Sequence, residues 1–175
     1  MCPFLPRGGG IPSGPVSVLG VDPGLARTGW AVVEGVSFQR LSYRAGGTIK
    51  TLPGEALPAR IGAISDHLEE QVCRFRVTAI CIEDHFSRRG APGIGHLLGP
   101  VIGAVALLAH RHRLHFLAIP PRELKHRVTG TGAAGKEEVI RSLSFWFGPD
   151  LKIGTSHEGD ALGLAFVGFG RLDRP

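Results

Sequence analysis

Cysteine is nearly absent from this chain. Cys2, Cys73 and Cys81 are odd in number and form no C-x-x-C pair, which argues against both a disulfide framework and a structural zinc site. An intracellular, cytoplasmic setting is expected. Long apolar runs are missing too: the longest, 101–109 and 161–169, fall well short of the roughly 20 residues that span a bilayer, so no membrane role is expected. Residues 1–15 are rich in Pro and Gly but lack the continuous apolar stretch of a signal peptide, and read as a disordered tail without chemistry. No internal repeat is visible. What remains is a chain of 175 residues, 43% hydrophobic and 20% charged, which can bury its own core as a single domain over 16–175. The formal charge of +5 gains meaning only if it gathers on one surface.

The pattern of elements is that of an α/β protein. Residues 16–21 form a short, β-rich apolar run that stops at Asp22-Pro23-Gly24, a strand leading into a turn. Residues 29–33 and 38–50 read as two further strands joined near Glu34-Gly35, so the sheet begins antiparallel. From Leu57 onward, Ile61, Ile64, Leu68, Val72 and Phe75 recur at helical spacing, with Asp66, Glu69 and Glu70 off that stripe. Residues 77–82 then give a strand ending at Glu83, and the intervening helix predicts a parallel return beside the first strand. The stretch 94–109, apolar nearly all round and containing Pro100, is expected to be a central helix or an oligomer interface. A strand at 115–119 and helices at 136–147, with Val139, Ile140, Leu143 and Trp146 on one face, and at 157–169 complete the chain.

Ligand clefts in such sheets open beyond the carboxyl ends of parallel strands, which is where Asp22 and Glu83 are expected. Singly, each acid has an ordinary structural role, one capping a turn and the other facing solvent. Placed side by side they repel, and a divalent cation between them removes the repulsion. Only one of Glu83 and Asp84 can face the cleft, because neighbouring side chains on a strand point to opposite faces. His157 and Asp160, three apart at the start of a predicted helix, share one face and can reach the same ion.

Four segments taken in order resemble the RuvC family of bacterial Holliday-junction resolvases: the run from Val18 through Asp22-Pro23-Gly24 to Trp30, the block from Ile82 through Glu83 to Phe86, residues 122–139, and His157-Glu158-Gly159-Asp160. The resemblance covers residues 18–167. It implies a ribonuclease H-like fold with a mixed five-stranded sheet flanked by helices, a homodimer, four-way DNA junctions as substrate and branch-migration proteins of the RuvA and RuvB type as partners. By position it also puts metal ligands on Asp22, Glu83, His157 and Asp160, cleft lysines on Lys125 and Lys136, and a base-approaching aromatic on Phe86. His157 stands where some members have Asp, which keeps a ligand and lowers the negative charge by one.

Such a set suits phosphodiester hydrolysis with two divalent cations per subunit, magnesium or manganese, because hard oxygen ligands favour them and an imidazole tilts the preference toward manganese. Arg88, Arg89 and Arg122, with Lys125 and Lys136, are expected to follow the DNA backbone, and Phe86 to stack on an unpaired base. A related nuclease acting on RNA and a non-catalytic junction-binding protein are the rival readings. The strand-Asp-Pro-Gly pattern also resembles the phosphate loop of actin-like and sugar kinases, but the second glycine-rich loop and the length of those enzymes are missing.

Overall fold

A computed structural model describes residues 14–84 and 94–172. The chain runs β1 (Val16–Asp22), β2 (Arg27–Gly35), a 3-10 turn (Phe38–Arg40), β3 (Leu41–Lys50), α1 (Leu57–Arg74), β4 (Ala79–Glu83), α2 (Ile94–Arg111), β5 (His115–Ile119), α3 (Pro121–Thr129), α4 (Lys136–Phe147) and α5 (Ser156–Leu172). One sheet of order β3-β2-β1-β4-β5 organises it, with β1–β2 and β2–β3 antiparallel and β1–β4 and β4–β5 parallel. The antiparallel start and the parallel return beside β1 are therefore as the sequence predicted. So is the amphipathic α1, which turns Ile64, Leu68 and Val72 inward.

The two-residue period of the strands divides the core between two faces. Val18, Ala31, Val33, Ala79 and Cys81 meet α3, α4 and α5 on one face, while Leu19, Val21, Val32, Ile80 and Ile82 meet α1 and α2 on the other. Because β1 and β4 are buried on both sides, their sequences read as continuous apolar runs. Cys81 is a free, buried thiol, and burial pushes its pKa up to about 12, so it stays protonated and inert.

The helix enclosed on nearly every side is α5, whereas α2, expected to be a central helix or an oligomer interface, lies in the outer layer. All its residues from Glu158 to Gly170 are buried except the partly exposed Asp160. It can lie this close because Gly20 carries no side chain: a Cβ there would stand 1.9 Å from the Ala161 carbonyl oxygen. On the outer layer, α2 buries Val101, Val105 and Leu108 against the sheet and leaves Leu107 about half exposed over a groove shared with α1. Trp146, predicted on the inner face of α4, is likewise half exposed, its ring centroid 5.1 Å from that of Phe166. No helix among the described residues is long and apolar enough to cross a membrane.

One charged fork ties the helical layer to the sheet. Glu123 of α3 accepts from Arg171 of α5 through both carboxylate oxygens, at 2.5 and 3.1 Å, and from Arg127 one turn further along at 2.9 Å. Arg171 also donates to the Ala118 carbonyl of β5 at 3.1 Å. The Arg171 hydrogen bonds hold the Glu123 carboxyl below its ordinary value of 4.5. A depressed carboxylate contributes stability above its unfolded pKa and loses it as pH falls through the folded one. Glu123→Gln should therefore cost about 1 kcal/mol at pH 7, with a difference from wild type that closes on acidification below pH 4.5. Melting curves across pH check this; a gap that stays constant into acid would mean the fork acts through shape alone.

Candidate active site

The site starts from strand register. Val21 pairs with Ile82 in the parallel ladder, so Asp22 and Glu83, one residue further along each strand, stand side by side. Alternation then sets direction: Val18 and Gly20 on β1, like Ala79 and Cys81 on β4, face α5, and Asp22 and Glu83 continue those two rows. Asp84 belongs to the other parity. Its backbone N–H donates to the Ile119 carbonyl at 2.8 Å, and its charge is felt at Arg171, a guanidinium raised chiefly by the Glu123 hydrogen bond.

The first turn of α5 brings the remaining groups. A capping box fixes where that helix begins: the Glu158 N–H donates to Thr155 Oγ1 at 3.1 Å, while Glu158 Oε2 accepts from the Gly154 N–H at 2.9 Å. Glu158 Oε1 also accepts from the Tyr43 hydroxyl at 2.6 Å, tying the turn to β3. Burial and that buried carboxylate raise the Tyr43 phenol well above its usual range, so it acts as a permanent donor. Nothing in the sequence reading singled out Glu158 or Tyr43, although Thr155-Ser156-His157-Glu158 is a recognisable T-x-x-E signature.

His157 and Asp160 consequently project toward the strand ends. His157 Nδ1 donates to Asp22 Oδ2 at 2.8 Å, and Lys136, the first residue of α4, donates from Nζ to Asp160 Oδ2 at 2.8 Å. Asp22 is held above its ordinary 3.8 mainly by burial, opposed by the His157 hydrogen bond and reinforced by the charge of Asp160. Lys136 is raised first by the Asp160 hydrogen bond and its charge, then by Asp22 and Glu83, so its ammonium feels all three acids. An acid destabilised by burial next to a second acid is a place for positive charge, and the donor set of carboxylates with one imidazole suits a hard divalent cation. The donors are not gathered into a finished cage, however: among the described residues no three His, Cys, Asp or Glu side chains form a ready-made metal site. Lys136 and His157 occupy carboxylate oxygens that such an ion would need.

Gly29 sets how close that turn can come. It pairs with Asp22 across β1–β2, and a Cβ there would lie 2.1 Å from the His157 carbonyl oxygen. Gly29→Ala should push the start of α5 away, costing about 1–3 kcal/mol as an overpacked contact does and weakening catalysis with it. An alanine variant with wild-type melting and wild-type activity would show that the approach is not needed.

The structure thus brings together Asp22, Glu83, His157, Asp160 and Lys136. Lys125 stands half-buried on α3, whose Leu124 packs on Gly163 of α5, and it makes no ion pair with the acids among the described residues. Arg122 is exposed at the start of the same helix, its side chain lying over Gly132. Phe86, Arg88 and Arg89 lie outside the described residues.

The family model described as crossover junction endodeoxyribonuclease RuvC matches residues 18–167. The chain belongs to the RuvC family. Its matched span contains every acid of the site, with Lys136. The RuvC protein of Rickettsia prowazekii is 36% identical over 152 residues, covering 86% of this chain and 94% of that protein. That of Chlorobaculum parvum is 36% identical over 154 residues, covering 88% and 81%. Among solved structures, RuvC of Thermus thermophilus in complex with a Holliday-junction substrate superposes with a TM-score of 0.81 at 30% identity, covering 90% of this chain and 95% of that one. The mixed five-stranded sheet with flanking helices is thereby the ribonuclease H-like fold of RuvC nucleases, whose members depend on divalent metal.

Proposed function

We infer that this protein is a structure-selective endonuclease that resolves four-way DNA junctions by metal-dependent paired nicking, in homologous recombination and DNA repair. The observation that carries this is the convergence of Asp22, Glu83, His157 and Asp160 from two adjacent strand ends and one helix start, with Lys136 bonded to Asp160 at their edge. In this reading those four side chains hold the metal, two magnesium or manganese ions per subunit. Bound there, divalent cations supply water activation and charge relief on the leaving 3′ oxygen. Asp22, whose ionised form is disfavoured by burial, is stabilised when positive charge arrives. Lys136 leaves Asp160 to hold the scissile phosphate, a short reach for an ammonium on a side chain 70% exposed. Lys125 contacts the phosphate from α3, while Arg88, Arg89 and Arg122 follow the backbone and Phe86 stacks on an unpaired base at the branch point.

The rest of the reading follows from shape and family. The apolar face that α2 leaves open over its groove with α1 buries itself against a second copy, so that two sites face two strands. Residues 16–175 work as one nuclease domain beyond a short tail, in the cytoplasm, together with branch-migration proteins of the RuvA and RuvB type. The test is incubation with end-labelled four-way junction, linear duplex and RNA of matching sequence, with magnesium, with manganese and with chelator. Paired nicks in the junction alone, dependent on metal, are expected, and junction affinity should fall steeply with salt as phosphate-bound counterions are released. Preferential cutting of RNA would favour the ribonuclease reading, and metal-independent binding without cutting the non-catalytic one.

A further inference from the structure

A second polar cavity lies at the opposite end of the sheet. Ser17 near the start of β1, Glu34 near the end of β2, Arg44 on β3, Arg74 and Arg76 around the end of α1, and Thr78 before β4 surround a space of about 360 Å³. Five residues of β1, roughly 17 Å of extended chain, separate Ser17 from Asp22. The cavity is thus no part of the acidic site.

Its floor holds an unfilled donor. Ser17 is 3% exposed, and its hydroxyl has no hydrogen-bond partner among the described residues. Thr78 does not satisfy it, because both the N–H and the hydroxyl of Thr78 go to the Ser17 carbonyl, at 2.8 and 2.9 Å. A buried hydroxyl left unpaired costs about 1–3 kcal/mol, which an acceptor entering the cavity would recover.

Two irregularities of the backbone bring cations to the rim. Val32 pairs with Ala45 and Val33 with Tyr43, so Arg44 is the extra residue of a β-bulge, a device that re-aims a side chain. Arg76 holds φ at 49°, a left-handed conformation that costs a non-glycine residue roughly 1–2 kcal/mol. With Arg74, three arginines line the cavity, and Glu34 is the one carboxylate among its described lining residues. Guanidinium forks match the oxygens of phosphate. A carboxylate beside them accepts a hydrogen bond only from an oxygen that carries a proton, which a phosphate monoester or inorganic phosphate has and which sulfate and a phosphodiester lack.

We propose that this cavity is a binding site for a protonated phosphate group, either inorganic phosphate or the terminal phosphate of a nucleotide. Ser17 and the three arginines donate to its charged oxygens and Glu34 accepts from its hydroxyl. The site is distinct from the nuclease centre, and occupancy ties the starts of β1 and β4 to the bulge of β3.

The test is titration of the full-length, isotope-labelled protein at low ionic strength with inorganic phosphate, a deoxynucleoside 5′-monophosphate, sulfate and a short duplex without terminal phosphates, followed by amide NMR. Saturable shifts at Ser17, Thr78 and Arg76 are expected with the first two, and at least tenfold weaker binding with sulfate. Arg44→Ala and Arg76→Gly should each weaken phosphate binding at least tenfold; glycine accepts the left-handed backbone at 76, so that variant keeps its fold. Glu34→Gln should narrow the gap between phosphate and sulfate. If only inorganic phosphate binds, its source is the free ion; if the monophosphate binds as well or better, it is a nucleotide. Absence of saturable shifts at these amides, unchanged affinity in Arg44→Ala and Arg76→Gly, or equal shifts with the diester duplex would overturn the proposal.

Discussion

Asp22→Asn, Glu83→Gln and Asp160→Asn should each slow junction cleavage by at least about 100-fold, equivalent to roughly 2.7 kcal/mol of transition-state stabilisation, while leaving affinity for an uncut junction within a few-fold of wild type. Binding survives because phosphate contacts by cations supply most of the affinity, and removing a carboxylate from a surface that meets phosphates lowers repulsion rather than attraction. Folding should survive as well. The Asp22 carboxyl is raised mainly by burial, so its ionised form is disfavoured in the native state, and a neutral isostere removes that penalty at neutral pH. Asp22→Asn should hold or raise the melting temperature while activity disappears. Cleavage assays, gel-shift titrations and melting curves on the same preparations separate the outcomes. Near wild-type cutting would remove a residue from the site, and a drop in melting temperature that parallels the lost activity would assign it a structural role.

How far the site could be read from sequence depended on the range of the interactions involved. Asp22 and Glu83 were legible because a strand buried on both faces gives a continuous apolar run, and each run stops at an acid. Parity also decides between Glu83 and Asp84 once β4 lies beside β1: Glu83 falls in the row of Ala79 and Cys81, facing α5, and Asp84 does not. Helical spacing put His157 and Asp160 on one face. It was silent about their partners, since His157 pairs with a strand end 135 residues earlier and Asp160 with the first residue of another helix.

The helix α3 was missed for a local reason: it has nine residues, polar apart from Leu124 and Val128, and only Val128 is fully buried. Pro121 at its first turn was the available start signal. That α2 could be read as either a central helix or an oligomer interface, while α5 is the enclosed helix, has a different origin. Both are apolar nearly all round, and composition does not tell a helix wrapped by its own chain from one that keeps an open face. The close contact of Gly20 with Ala161 decides it, and that contact exists only in the folded chain.

His157→Ala should lose most cleavage at limiting metal and regain part of it when metal is raised, whereas His157→Asp should remain active. The hydrogen bond between His157 Nδ1 and Asp22 leaves the other ring nitrogen outside that bond and able to act as a ligand. Alanine removes both the donor to Asp22 and the ligand, so the remaining carboxylates bind the ion more weakly without losing the capacity to bind. Aspartate restores a ligand as an oxygen and adds a negative charge beside Asp22 and Asp160. Two consequences separate in measurement. Metal affinity, read directly by manganese electron paramagnetic resonance without substrate, should fall in the alanine variant by about tenfold or more, the range seen when groups supporting a metal site are lost. Metal preference in the aspartate variant should move toward magnesium, because an all-oxygen set is harder than one containing imidazole. The added charge also works against the fold, since Asp22 is already raised by burial and by Asp160. Without metal, His157→Asp should therefore melt lower than wild type, and saturating magnesium should close that gap. An alanine variant that binds manganese as tightly as wild type and cuts as fast at limiting metal would exclude His157 from the coordination shell and leave it the role of orienting Asp22.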